Sequence, residues 1–102
     1  MDTTSRSLVT IICEPVLEQK IEDDLLRLGA TGYTANEGRG RGSAERHAGE
    51  IPGVNVRIET ITDAALAVKI LAHIQEHYFA HYSVIAWVSE VQVIRASKYG
   101  PA

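Results

Sequence analysis

Apolar and polar positions alternate along this chain with two different periods, and the switches between them mark out its elements. Ser7 to Cys13 (Ser-Leu-Val-Thr-Ile-Ile-Cys) is rich in β-branched residues and too short for a stable helix, which predicts a buried strand. Glu14-Pro15 closes it, and Pro15 suits the first turn of a helix, where its missing N–H would have had no partner anyway. Leu17, Ile21, Leu25 and Leu28 recur at helical spacing, with Glu18, Lys20, Glu22, Asp23 and Arg27 on the other face; Gly29 is a good terminator. Gly32 to Glu37 reads as a second short strand. In the third, Val54, Val56 and Ile58 face one way while Asn55, Arg57 and Glu59 face the other. Thr62-Asp63 caps a second helix whose apolar stripe is Ala67, Ile70, Leu71, Ile74 and Tyr78. Tyr82 to Ile94 is strand-like, and long enough that a bulge or bend near Ser89-Glu90 is expected.

The order is β-α-β, a long loop, then β-α-β. It predicts an α+β fold of ferredoxin-like βαββαβ topology, an antiparallel sheet with both helices on one face. The 102 residues form a single domain, with neither repeat nor linker in view. The sheet's other face carries enough apolar residues to predict that another subunit covers it.

The loop between the second and third strands carries the candidate chemistry. Gly38, Gly40 and Gly42 leave the backbone free to adopt positive φ and to approach a ligand closely. Arg39, Arg41 and Arg46 add planar, permanently charged forks suited to phosphate or carboxylate. From about residue 38 to residue 53 the loop has no sustained period, and a loop of that length in a small domain is usually functional or disordered.

Net charge narrows the partners. At -3 overall the chain is not a general nucleic-acid binder, although this loop is locally basic. No apolar run reaches the roughly 20 residues that cross a bilayer. The N-terminal Met-Asp-Thr-Thr-Ser-Arg-Ser lacks the apolar segment of a signal peptide, and one cysteine cannot form an internal disulfide. A cytoplasmic protein with Cys13 buried in its first strand is expected.

Other candidates weigh less. Glu22, Asp23 and Asp24 are consecutive, and neighbours on a helix do not face each other, so a solvated face is expected rather than an acid–base pair. His73, His77 and His81 are spaced four apart, which raises a metal reading, against ordinary surface or interface histidines. His47, inside the loop, can carry charge near neutral pH. No nucleophile elbow, zinc-protease motif or Walker lysine motif is present, and no enzyme is expected.

Gly32-Tyr-Thr-Ala-Asn-Glu, followed by Gly40-x-Gly42 opening a long loop, resembles the PII signalling superfamily. So do Arg57-Ile-Glu-Thr-Ile61 and the closing Val93-Ile-Arg95, and the resemblance spans Leu8 to Arg95. It implies a non-enzymatic homotrimer with adenine nucleotide held in clefts between subunits, and with the long loop, the T-loop of that family, contacting ligand and partner protein. By position, Thr34 and the backbone around Gly40 and Gly42 line the ligand pocket, Glu59 and Ile61 lie near adenine, and Arg95 reaches phosphate. Ser43 and Val84 complete the implied set, with Arg41 and Arg46 as further arginines for phosphate or bicarbonate.

The glycine- and lysine-containing phosphate loop of PII proteins proper is replaced here by Ala80-His-Tyr-Ser-Val84. Gly-Ala-x-Gly-Tyr-Thr, Gly-x-Gly-Ser and Tyr78-Phe79-Ala-His-Tyr82 look more like the branch tied to inorganic carbon, the SbtB and carboxysome-associated PII proteins. Those relatives imply ADP or AMP as ligand, with ATP, cyclic AMP and bicarbonate as further candidates, and a bicarbonate transporter or carboxysome component as partner. A CutA-like trimeric metal-binding protein on the same fold is the alternative.

Overall fold

A computed structural model describes residues 1–41 and 53–100. In chain order they form β1 (Thr4–Cys13), a 3-10 turn (Pro15–Leu17), α1 (Glu18–Leu28), β2 (Thr34–Arg39) and β3 (Val54–Thr62). Then come α2 (Ala64–Tyr78), β4 (Ile85–Val93) and a C-terminal 3-10 turn (Ala96–Tyr99). The strands make one sheet in the order β2-β3-β1-β4, with every neighbouring pair antiparallel. This is the ferredoxin-like α+β arrangement that the apolar pattern predicts.

Local chemistry accounts for the helix boundaries. The chain leaves β1 through Glu14 and Pro15, which opens the short turn ahead of α1. Gly29 ends α1 with φ 119°, and its N–H is donated back to the Leu25 and Leu26 carbonyls, a left-handed cap that suits glycine. Asp63 caps α2 by accepting the Leu66 N–H at 2.8 Å.

The core lies between the helices and one face of the sheet. Val9, Ile11 and Cys13 of β1 and Val56 and Ile58 of β3 meet Ile21 and Leu25 of α1 and Ala67, Ile70, Ile74 and Tyr78 of α2. Leu71, expected in that stripe, is half-buried against it.

The sheet's outer face is read from the register. Leu8, Thr10 and Ile12 are flanked by Ile61, Glu59 and Arg57 on β3 and by Ser89, Trp87 and Ile85 on β4. Ile85 and Trp87 stay exposed in the single chain.

Four expectations change. β1 begins at Thr4, three residues early, because Thr4, Ser5 and Arg6 pair with Val93, Gln92 and Val91. β4 is shorter than the apolar run that predicts it: its register against β1 is unbroken from Ile85 to Val93, so there is no bulge at Ser89-Glu90. β2 runs on to Arg39, so the first two residues of the expected loop are strand. Glu22 and Asp24 are buried, not solvated: Asp24 faces His73 and Tyr78 of α2, and Glu22 lies against Glu18 and Tyr33.

Candidate functional site

Two depressions sit side by side along the β2–β3 edge of the outer face. The first, of about 400 Å³, is lined by Leu8, Thr31–Thr34, Glu59–Ile61, Lys98 and Tyr99. Leu8 and Ile61 give it an apolar floor, Tyr33 and Tyr99 supply rings, and Thr34 and Glu59 supply polar edges. The segment before β2 is held in place by Thr60, whose Oγ1 donates to the Gly32 carbonyl at 2.6 Å.

The second depression, of about 370 Å³, joins Asn36, Gly38, Arg39, Gly40 and Arg41 to Asn55, Arg57, Ser83 and the Trp87 side of β4. Among the described residues, three that bear guanidinium groups line it and no carboxylate does. At its rim the Gly40 N–H donates to the Gly53 carbonyl at 3.0 Å, which closes the neck of the long loop. Ser83 is held from below by Glu14, buried at 1% exposure, whose Oε2 accepts the Ser83 N–H at 2.8 Å.

One ion pair divides the two. Arg57 donates from Nη2 to Glu59 Oε2 at 3.2 Å, and the same oxygen accepts the Thr10 hydroxyl at 3.1 Å. The Arg57 guanidinium also lies 5.9 Å from the centre of the Trp87 ring, a cation–π distance. Arg57 from the same strand and Thr10 from the neighbouring β1 thereby fix the Glu59 carboxylate at the boundary.

Glycine acts differently from the sequence expectation. Neither Gly38 nor Gly40 has positive φ; among the described residues, Gly29, Gly53 and Gly100 do. Gly38 is strand, with open space where a Cβ would stand. At Gly40 a Cβ would come 3.1 Å from Asn55 Nδ2, so close packing is the constraint there.

The expected site residues divide accordingly. Thr34, Glu59 and Ile61 share the first depression, and Gly40 and Arg41 the second. Val84 packs in the core, and exposed Arg95 sits at the start of the C-terminal turn; neither lines either depression. Gly42, Ser43, Arg46 and His47 lie outside the described residues. Sequence reasoning missed Tyr33, Arg57, Lys98 and Tyr99. Arg57 was legible as a polar position on the outer face of β3, whereas Lys98 and Tyr99 follow the last periodic residue and carried no signal.

The histidine row is not one cluster. His73 donates from Nε2 to Asp24 Oδ2 at 2.9 Å, and its ring centroid lies 4.2 Å from that of His77. His81 is exposed beyond the end of α2. Among the described residues no three potential ligands converge on one point.

The family model for nitrogen regulatory protein P-II matches residues 6–98. The chain belongs to the PII family of regulatory proteins. A PII-like signalling protein from Thermus thermophilus shares 44% identity, over 97% of this chain and 99% of its own, with a TM-score of 0.83. CPII from Thiomonas intermedia, bound to ADP and bicarbonate, shares 25% identity over 96% of this chain and 97% of its own, TM-score 0.82. A second CPII structure, with ADP, AMP and bicarbonate, shares 26% over 92% and 98%, TM-score 0.75. Among curated proteins nothing matches. The PII match favours that family over the CutA-like alternative.

Proposed function

We propose that this PII-family chain works as a homotrimeric sensor of ADP and AMP, responsive to bicarbonate, that regulates inorganic-carbon uptake or carboxysome function. The observation that carries the reading is the pairing of the two depressions on one sheet edge. The first has an apolar floor, two aromatic rings and a carboxylate edge, which suits a purine base. The second is rich in guanidinium groups, which suits phosphate or bicarbonate. Both open on the face where Ile85 and Trp87 are exposed, so a second copy packed there turns each open depression into a cleft between subunits. The ADP, AMP and bicarbonate held by the CPII structures support this choice of ligands.

Each group has a task in this reading. Glu59 uses Oε2 for Arg57 and Thr10, leaving Oε1 to accept an exocyclic amino group. Arg41 and the Gly40 backbone, with Gly42, Ser43 and Arg46 further into the loop, meet the anion. Anion binding offsets the entropy of ordering those side chains, so different nucleotides stabilise different loop states. A bicarbonate transporter or carboxysome component reads the result through the loop.

Calorimetric titration with ATP, ADP, AMP and cyclic AMP, with and without bicarbonate, tests this. Saturable ADP or AMP binding that bicarbonate alters, and that Arg41→Ala weakens, is the expected result. No binding of any nucleotide contradicts the reading.

A further inference from the structure

The C-terminal turn reaches back over the outer face because Arg6 holds it there. Arg6 has the same parity as Leu8 and Thr10, which points it outward, yet it is only 6% exposed. The two terminal nitrogens of its guanidinium go to backbone: Nη1 donates to the Ser5 carbonyl at 2.8 Å, and Nη2 donates to the carbonyls of Ala96 at 3.2 Å and Gly100 at 2.8 Å. Those two carbonyls bracket the turn, so one cation fixes both of its ends. Within the turn the Lys98 N–H closes on the Arg95 carbonyl at 3.0 Å. At the far side Gly100 takes φ 90° and packs so closely on Asp63 that a Cβ would lie 3.0 Å from Oδ2, so the chain has little room to pivot there.

The consequence is the placement of Tyr99. It lines the first depression together with Leu8, Tyr33, Glu59 and Ile61, although it is distant from all of them in sequence. A half-buried ring beside an apolar floor and a carboxylate edge is a surface that favours a flat heteroaromatic ligand, because ring contact is tolerant of register while the carboxylate selects the edge.

We propose that Tyr99 is a ligand-binding residue that contacts the nucleobase, and that Arg6 is the positioning residue that holds the turn carrying it. This rests on the nucleotide reading given above. Calorimetric titration with ADP of the full chain, its Tyr99→Phe, Tyr99→Ala and Arg6→Lys variants, and the Arg6→Lys/Tyr99→Ala double variant, tests it. Tyr99→Ala is expected to weaken ADP binding roughly tenfold, the usual scale for losing an aromatic contact to a base. Tyr99→Phe keeps the ring and should stay within about twofold of the parent.

Arg6→Lys keeps a charge but loses the fork that spans two carbonyls, so it should weaken ADP as well. If Arg6 acts through Tyr99, the Arg6→Lys loss disappears in the Tyr99→Ala background, a non-additivity that a general loss of stability does not produce. Parent-like affinity in Tyr99→Ala, or an Arg6→Lys loss undiminished in the double variant, overturns the proposal while leaving the nucleotide reading intact. Failure of the parent chain to bind ADP overturns both.

Discussion

Asp24 on α1 and His73 on α2 meet at 2.9 Å, with the imidazole Nε2–H donated to Oδ2, and this contact joins the two helices on the side away from the sheet's outer face. The same carboxylate accepts the Tyr78 hydroxyl and pairs with Arg27. Tyr78 is among the largest fully buried side chains, so its hydroxyl depends on Asp24 for a partner. Removing the carboxylate leaves that hydroxyl orphaned in the core. Asp24→Ala is expected to lower unfolding stability by about 1–3 kcal/mol, the cost of a buried polar group left without its partner. Urea denaturation of the parent and variant checks this.

Two buried carboxylates on α1 respond to acid in opposite directions. Burial pushes the Asp24 carboxyl up, but hydrogen bonds from Tyr78 and His73 and the charges of His73 and Arg27 prevail and hold it below its ordinary 3.8. Its contribution to stability is therefore complete above pH 3.8 and is lost as pH falls through the lower folded value. Glu22 is raised above 4.5, by burial first and then by its contacts with Glu18. Its ionised form costs stability, so stability falls as pH rises from 4.5 through the raised folded value. In denaturation curves across pH 3 to 7, Glu22→Gln should remove the decline above 4.5, and Asp24→Asn should flatten the loss below 3.8. The reverse assignment of the two limbs would contradict the account.

Gly29 is the glycine whose conformation matters for the first helix. With φ 119°, any side chain there is strained, although the space itself is open, the nearest contact for a Cβ being Leu66 Cδ2 at 3.8 Å. Gly29→Ala is expected to cost about 1–2 kcal/mol through backbone strain alone. Thermal melts should show a lower Tm, with nucleotide affinity unchanged because Gly29 lines neither depression.

The fold was legible because each element carries its own period. Val56 and Ile58 against Arg57 and Glu59 gave the faces of β3, and Leu17, Ile21 and Leu25 gave the buried side of α1. Boundaries were less legible where pairing decides them: Thr4 to Arg6 are strand because β4 lies beside them, and Tyr82 to Val84 are not strand although Tyr82 and Val84 are apolar. Asp24 was misread because helix spacing alone does not say which polar side faces a second helix. In the candidate site, Thr34, Glu59 and Ile61 were found through family resemblance, and their convergence needed the antiparallel register of β2 on β3. Tyr99 could not be found from pattern, since long-range contacts of Arg6 with both ends of the turn bring it to the depression.

The central claim is that copies of this chain assemble in threes and share nucleotide between them. Native mass spectrometry of the purified protein with ADP tests both halves at once. The account predicts a three-chain species carrying up to three ADP molecules. A single-chain species, or a three-chain species that takes up no ADP, would contradict it.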